Sequence, residues 1–465
     1  MLDLALFGFV MAFFAIGFRR PYLWVLAYLY IDILAPQKIG WSITSALPIS
    51  FIAFCAAFAG WLLTDSKKGA KFAFRQVLLC LLLLYCFWTT QTADFPLMAQ
   101  EKWDWVWKAL VFAIFLPLTL TTRLRLEGAA LIMVLTVGAI IISAGMKTAT
   151  GGGGYASLYF FVNDNSGLYE SSTLATVSIA IIPLIVWFTR HGTVFPPDWR
   201  VKTFGYALIF ACLLIPVGTE ARTGLLCIAV LGVVALREVK RPLLFIAAGG
   251  ALGLMALPFL PQSYYERMAT IGSHDQDQSA STRVAVWRWT LDYASENPFG
   301  GGFDAYRGNS FTYDLPVVAG EGNTTSVEYR EVEDKARAYH SAIFEMLGEQ
   351  GWPGLGLWLW IHALGLWQME RIRRRWRDRT GESEQWQAPL ASALQVAQAI
   401  YLVGSLFQGI AYQPFVLMLI GLQIGLATYC KRLDSRGGET RLAQRRRQAA
   451  AHGGNAVAAG SPALR

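Results

Sequence analysis

The stretch AYHSAIFEMLGEQGWPGLG, residues 338–356, joins the longest polar segment of the chain to an apolar run of membrane-helix length. The polar segment, residues 261–338, carries twelve Asp or Glu and seven Lys or Arg, whereas nearly every other segment between apolar runs is short. Functional residues concentrate on loops that a rigid scaffold positions. We therefore expect the work of this protein to involve this loop and the helix that follows it.

The composition indicates an integral membrane protein. Hydrophobic residues make up 54% of the 465 residues and charged residues only 15%, whereas soluble domains contain about 25% charged residues. The first apolar run begins at residue 2 without a basic segment or a cleavage site, so we interpret it as a span and not as a removed signal. We expect a single all-α polytopic membrane domain with one inserted loop.

Thirteen apolar runs have about the length needed to cross a hydrocarbon core of about 30 Å. Runs 1 and 9 are short, and twelve spans is the alternative. The runs cover residues 3–18, 21–35, 47–64, 76–93, 105–121, 128–146, 167–189, 203–218, 223–236, 242–260, 339–367, 388–410 and 413–430.

The basic residues predict the orientation. Clusters that follow alternate runs hold 28 of the 40 Lys and Arg, and such clusters mark cytoplasmic segments. One of them is Lys67, Lys68, Lys71 and Arg75. The N-terminus, the Gly-rich segment 151–166, the link GTEAR and the long loop then lie on the opposite, periplasmic side. We divide the chain into N-terminal helices, a core that includes the loop, and a disordered basic cytoplasmic tail. Their bounds are 1–150, 151–430 with loop 261–338, and 431–465.

No metal or cofactor site is expected. The six cysteines fall within apolar runs or at their ends, which indicates neither a disulfide framework nor a zinc cluster nor a reactive thiol. The acidic stretch EYREVEDK, residues 328–335, also contains two basic residues and is typical of a solvated face. GGGG at 151–154 lacks the Lys-Ser/Thr of a phosphate loop, so we interpret it as a hinge.

Arginines on the periplasmic side are the first candidates for chemistry, because orientation bias works against them. A guanidinium binds phosphate oxygens bidentately, which suits a lipid-linked pyrophosphate. Arg222 lies in PVGTEARTGLL between two spans, where a charge is costly unless it is paired or functional. The alternatives are an ion pair with Glu220 or snorkelling to the interface.

The loop sequence DQSASTRVAVWRWTLDYASENPFGGGF predicts a helix that begins at Ser281 or Thr282 and ends near Asn297, before a triple-glycine turn. Arg283 and Trp287 share one face of this helix, whereas Arg288 lies about 140° away from Arg283. The two arginines are therefore expected to have different partners. An interfacial helix in the headgroup layer is the alternative.

His340 is the sharpest candidate, because a neutral imidazole at the top of a span can take a proton from a hydroxyl near pH 7. Arg337 lies three residues before it and Phe344 four residues after it, and we expect the aromatic neighbour to lock the imidazole. A structural interfacial histidine is the alternative. His362 lies about 33 Å further along a helix and therefore on the wrong side. In FVNDNSGLYESS, Asn163 and Asn165 are candidates to line a sugar path.

Four segments together resemble the ordered signature of the O-antigen ligase and polymerase superfamily, over roughly residues 155–430. They are FVNDNSG, GTEARTGLL, DQSASTRVAVWRW with NPFGGGF, and AYHSAIFEMLGEQGWPGLGLWL. FRRPY at 18–22, the pattern of Pro36 and Trp41, and LGEQGWPGL resemble the exosortase A-associated O-glycosylation ligase subgroup.

The resemblance implies an inverting, metal-independent glycosyltransferase with a GT-C-type bundle of about 12 to 13 transmembrane helices and one large periplasmic loop containing short helices. It implies transfer of a glycan from undecaprenyl pyrophosphate to a lipid, protein or glycan acceptor at the periplasmic face of the bacterial inner membrane. His340, Arg222 and Arg283 take the catalytic positions. Arg288 and Arg337 are reserves for phosphate or sugar contacts. Here the link reads Ala-Arg-Thr where the family more commonly has Ser-Arg-Gly.

Three functions stay open: a ligase that caps an acceptor with a preassembled glycan, a polymerase that joins lipid-linked repeat units, and a polytopic transporter without chemistry. No internal repeat is visible, and internal repeats are common in transporters, which favours the transferase. We expect the loop to act as a lid over a cleft at the membrane edge that brings Arg283 toward His340.

Overall fold

The computed structural model describes residues 2–39, 43–150, 168–237, 241–256, 258, 260, 264–265, 278–319, 326–379, 381 and 384–435. Several predictions fall on residues outside this set: the hinge at 151–154, the sugar-path residues Asn163 and Asn165, and most of the basic tail. The last helix extends to Ser435, so the first residues of the predicted tail at 431–435 are helical and not disordered.

Each of the thirteen apolar runs coincides with a helix in the described part of the chain. These helices are α1 (Leu2–Gly17), α2 (Tyr22–Leu34), α5 (Ile49–Leu63), α6 (Phe74–Gln91), α7 (Pro96–Thr119), α8 (Arg123–Ala149), α9 (Ser171–His191), α10 (Trp199–Gly218), α11 (Arg222–Ala235), α12 (Pro242–Ala256), α14 (Ala342–Trp376), α15 (Gln387–Ser405) and α16 (Pro414–Ser435). Two single turns, α3 (Pro36–Ile39) and α4 (Ile43–Ala46), follow α2, and α13 (Gln278–Glu296) lies in the long loop.

Five of the described helices are long and apolar enough to cross a membrane by length and composition, namely α6, α8, α9, α10 and α16. Five of the shorter helices are also apolar, and α7 and α14 carry charged residues near their ends. The chain is therefore a mostly helical membrane protein, and the count of 12 to 13 spans remains a prediction.

The centre of the bundle is formed by α9, α15 and α16, whose residues are buried on nearly all sides. Helices that are apolar all round belong in such central positions. Around the N-terminal helices, aromatic rings fill the space between α2, α5 and α7, as in the contact of Tyr28 with Phe112 at 4.1 Å between ring centroids.

Arg75, a member of one of the basic clusters, is buried in the bundle. Its side chain is completely buried, and its guanidinium lies 3.0 Å from the side-chain oxygen of Gln423. His362 is also buried, and its ring contacts the amide of Gln398 at 2.8 Å. Arg75 therefore lies inside the bundle, where the side-chain oxygen of Gln423 accepts its hydrogen bond, and the cytoplasmic orientation of its cluster remains a prediction.

The long loop is not built from helices alone. After α13, strands β1 (Ser310–Ala319) and β2 (Ser326–Lys335) pair in antiparallel register, with Ser310 opposite Lys335. The expectation of an all-α chain with only short helices in the loop is wrong at this point. Both strands are rich in Val, Thr, Tyr or Phe, which favour strands. The stretch EYREVEDK, interpreted as a solvated face, is most of the second strand.

The predicted loop helix is confirmed at its C-terminal end, since α13 ends at Glu296, but it begins at Gln278, before Ser281. The triple-glycine turn that follows packs into a break in α14. Gly351 has φ 61° and ψ −168°, which is not helical. Gly301 N donates to Gly348 O at 3.1 Å and Gly302 N to Glu349 O at 2.9 Å. The turn and the break therefore form one main-chain contact that fixes the end of the loop on the bundle.

Candidate functional site

The backbone at His340 is unusual. His340 has φ 46°, in the left-handed region that non-glycine residues seldom occupy. It directly precedes α14 and keeps an exposed surface, whereas the preceding residue, Tyr339, is 2% exposed. Such conformations cost of order 1–3 kcal/mol and persist where the surrounding structure holds them. The buried tyrosine therefore anchors the segment, and the histidine projects from it.

Charged residues from three segments surround His340. Partial burial lowers the pKa of the His340 imidazole below its ordinary value, the positive charges of Arg283 and Arg337 lower it further, and the carboxylate of Glu170 opposes them. Neighbouring groups remove part of the imidazole's hydration although the residue remains accessible. The structure thus places Arg283 within electrostatic range of His340 and keeps the ring neutral at neutral pH.

Phe344, which we predicted to contact the His340 ring, contacts a tryptophan of the loop helix instead. Phe344 stacks on Trp287, with 5.0 Å between ring centroids and 6° between the planes. Trp287 Nε1 also donates to the carbonyl of Tyr339 at 2.9 Å. The expectation that Phe344 locks the imidazole itself is wrong, because the Phe344 ring stacks on the indole of Trp287 from α13. Phe344 instead holds the loop helix against the start of α14.

The remaining loop arginines differ in their surroundings. Arg288 is exposed, and it does not lie on the face of α13 that carries Arg283 and Trp287. Arg337 forms an ion pair with Asp334. Its main-chain N donates a hydrogen bond to Asn309 Oδ1 at 2.9 Å. That Arg283 and Arg288 serve different partners stays a prediction. Arg337 is near His340 but already has a carboxylate partner.

Arg222 is the first residue of α11 and is half-buried. Two residues later, Gly224 packs against Pro216 of α10 and Ala175 of α9. A Cβ atom on Gly224 would lie 3.2 Å from the Cβ atom of Ala175. Ala175 lies five residues after Glu170, which is about 7.5 Å along a helix. Arg222 and Glu170 therefore lie at the same end of the bundle. We call it the His340 end.

Glu170 was not singled out from the sequence. Its side chain accepts a hydrogen bond from Thr173 N at 2.6 Å and so caps α9. The signal that could have found it is its position directly before Ser171 and Ser172, where a helix begins. Its negative charge raises the pKa of the His340 imidazole.

A second group that the sequence did not reveal lies beneath Tyr339. Lys102 Nζ lies 2.8 Å from Glu345 Oε1, 2.7 Å from Glu349 Oε1 and 3.8 Å from Asp304 Oδ1. Glu345 also accepts from Ala411 N at 2.8 Å, and Glu349 from Asp304 N at 3.0 Å. The four-residue spacing of the two glutamates places them on one helix face. The group ties together α7, the loop, α14 and the segment before α16.

Among the described residues, no group of three or more His, Cys, Asp or Glu side chains is arranged to hold a metal ion. The groups that act electrostatically on His340 are two guanidiniums, of Arg283 and Arg337, and the carboxylate of Glu170.

Two family models match the chain. Residues 1–193 match a family of unknown function (DUF5935), and residues 207–359 match the family described as O-Antigen ligase. No curated protein matches the chain. The second match covers Arg222, Arg283 and His340, whereas the exosortase-associated subgroup remains a prediction. Residues 207–359 of this membrane protein therefore form a domain of the O-antigen ligase superfamily.

Proposed function

We propose that this protein is a membrane glycan ligase. It transfers a preassembled glycan from undecaprenyl pyrophosphate to an acceptor hydroxyl at the periplasmic face of the inner membrane, with inversion at the anomeric carbon. The observation that carries the proposal is the setting of His340, which is accessible, held in a strained backbone and placed near Arg283 and Glu170. The O-antigen ligase match supports the reaction class.

In the proposed reaction, the acceptor oxygen attacks the anomeric carbon from the side opposite the pyrophosphate. The bond between this carbon and the phosphate oxygen breaks, and its electron pair stays with the pyrophosphate. His340 takes the proton of the hydroxyl, for which its lowered pKa keeps it neutral beforehand. Glu170 stabilises the imidazolium that results, since opposite charges favour the protonated form.

The arginines bear the charge of the donor. Arg283 and Arg222 bind the pyrophosphate oxygens, and Arg288, Arg337, Asn163 and Asn165 are proposed to contact phosphate or sugar. Pyrophosphate is already a good leaving group, so preorganised positive charge and positioning are the main requirements. The α13 helix brings Arg283 from the loop, and α11 brings Arg222 from the bundle, so both must meet for the donor to bind.

The test uses purified protein with one defined lipid-linked glycan and a hydroxyl acceptor. His340→Ala and Arg222→Ala are expected to reduce transfer by at least about 10²-fold, the usual size of a lost proton transfer or oxyanion contact, while the proteins remain inserted and folded. His191→Ala and Arg371→Ala, at the other end of α9 and α14, are the matched controls and are expected to keep wild-type transfer. Wild-type transfer by the His340 variant would contradict the proposal that His340 is the general base.

The same assay separates a ligase from a polymerase. The ligase joins the glycan to the added acceptor and leaves the lipid-linked material at unit length. Glycan multimers on the lipid, formed without an added acceptor, would assign the protein to the polymerases instead.

A further inference from the structure

The described part of the chain contains a cavity of about 570 Å³ at the end of the bundle opposite His340. It opens between the C-terminal ends of α9, α11 and α14 and the start of α15. We call this the arginine end. Its volume lies in the range of about 300–1,000 Å³ that is usual for small-molecule sites. The residues that line it take no part in the proposed transfer.

The lining has two zones. The inner wall is apolar and includes Ile182, Val186, Leu231 and Val396. The mouth carries five arginines, and no Asp or Glu is among the lining residues. Ile182 and Arg190 are separated by eight residues of α9, which is about 12 Å along a helix. A ligand that fills this space needs an anionic head and an apolar part of at least that length.

Three arginines of the mouth have carboxylate partners among the described residues. Arg237 and Arg373 share the carboxylate of Glu370, at 3.2 Å and 2.8 Å. Arg379 is paired with Glu384 at 3.0 Å and with Asp434 at 2.7 Å.

Two arginines retain charge for a ligand. Arg190 is exposed and forms no ion pair with a carboxylate in the described residues. Arg377 contacts only the adjacent, exposed Asp378, at 3.3 Å, and an exposed pair of this kind contributes little. The guanidinium groups are suited to bidentate contacts with a phosphate.

We propose that the cavity binds an anionic glycerophospholipid, with its phosphate at Arg190 and Arg377 and the upper part of an acyl chain along the apolar wall. A soluble phosphate would leave the apolar wall unfilled, and a neutral lipid would leave the arginines without a counter-ion. Under the predicted orientation the arginine end faces the cytoplasmic leaflet, which carries the anionic lipids.

The test measures lipid binding to the purified full chain by native mass spectrometry. Phosphatidylglycerol and phosphatidylcholine with identical acyl chains are titrated separately, and glycerol 3-phosphate is added as a soluble competitor. We expect phosphatidylglycerol to bind preferentially and glycerol 3-phosphate not to displace it. The double variant Arg190→Gln, Arg377→Gln is expected to weaken phosphatidylglycerol binding by at least about 5-fold, the effect of losing one or two surface charges.

Two further variants keep the result interpretable. The control variant Arg371→Gln with Arg374→Gln also removes two positive charges at the arginine end. Neither residue lines the cavity, so binding should be retained. Arg190→Lys with Arg377→Lys keeps the charge and should retain most of the binding. Equal binding of the two lipids, displacement by glycerol 3-phosphate, or the same loss in the control pair would each overturn the proposal. Because transfer activity is not measured, failure of this proposal is distinct from failure of the proposed ligase.

Discussion

The indole of Trp287 lies parallel to the ring of Phe344, 5.0 Å away, while its Nε1 donates to the main-chain carbonyl of Tyr339. One side chain from the loop helix thus contacts the chain on both sides of His340, at Tyr339 before it and at Phe344 of α14 after it. Because Tyr339 precedes His340 directly, the hydrogen bond acts on the peptide group that sets the strained φ of the histidine. The loop helix therefore contributes to the position of the imidazole as well as supplying Arg283.

Replacement of Trp287 separates these two contacts. Trp287→Phe keeps a ring against Phe344 but removes the donor to Tyr339, and we expect kcat of glycan transfer to fall about 10-fold with little change in KM, because small displacements of a catalytic group are costly. Trp289→Phe is the matched control, since Trp289 stacks on Tyr293 at 4.9 Å and does not contact Tyr339 in the described structure. Equal losses for both variants would contradict a specific role for Trp287.

The pH dependence of transfer should follow His340. Neutral imidazole is the active form, so the rate rises with pH through the pKa of His340, which lies below the ordinary value of about 6.5. Glu170→Gln removes a charge that favours the imidazolium, so the pKa falls and the acid limb moves to lower pH. Arg337→Gln removes a charge that opposes it, so the limb moves to higher pH. Rate profiles between pH 4.5 and 8 measure both shifts, on the order of a few tenths of a unit to one unit.

Shifts in the same direction, or none, would exclude Glu170 and Arg337 as electrostatic neighbours of the base. Gln at position 170 can still accept the hydrogen bond from Thr173 N, so the cap of α9 is retained in this variant.

The break in α14 should be intolerant of a side chain. Gly351→Ala places a methyl group in a backbone region that is accessible essentially only to glycine and against the carbonyl of Pro298. We expect a loss of at least about 2 kcal/mol in the free energy of unfolding. Gly356→Ala is the control, because nothing lies within 4 Å of its added carbon, and a small gain in stability is expected. Denaturant unfolding in detergent compares the two.

Lys102 should be essential for folding stability. Lys102→Met leaves Glu345 and Glu349 without their cation, and breaking a buried pair costs about 3–5 kcal/mol. Lys335→Met removes the cation of an exposed pair with Glu333 and should change the stability little, because exposed ion pairs contribute little.

A triple variant distinguishes loss of charge balance from loss of packing at Lys102. Adding Glu345→Gln and Glu349→Gln to Lys102→Met is expected to recover part of the stability, because no uncompensated carboxylate then remains. A triple variant less stable than Lys102→Met would show that packing, and not charge balance, dominates. Thermal inactivation midpoints of all four proteins provide the measurement.

The sequence predicts the helices well and the loop less well. Among the described residues, apolar length locates the long apolar helices, because a membrane helix must cover its backbone with apolar side chains over a fixed distance. The hairpin of β1 and β2 was missed although residues 310–315 alternate polar and apolar side chains, because EYREVEDK is mostly charged and was interpreted as a solvated face. Strand pairing depends on the partner strand, which local composition does not show.

The candidate residues were found by residue type and position, whereas their neighbours were not. His340 is a titratable group at the mouth of a predicted span, and Arg283 is a periplasmic arginine that the family resemblance places in the site. Glu170 comes from α9 and Lys102 from α7, far away in sequence. Only the packing of the bundle brings these charges to Tyr339 and His340. Arg75 shows the converse, because a residue typical of the membrane surface is buried by distant amide groups.

The contact between the triple-glycine turn and the break at Gly351 has an evolutionary consequence. It is made by main-chain groups of Gly301, Gly302, Gly348 and Glu349, so substitutions of side chains elsewhere in the loop leave it intact. The hairpin between this anchor and Tyr339 is consequently free to diverge in sequence while the ends of its two strands stay in place.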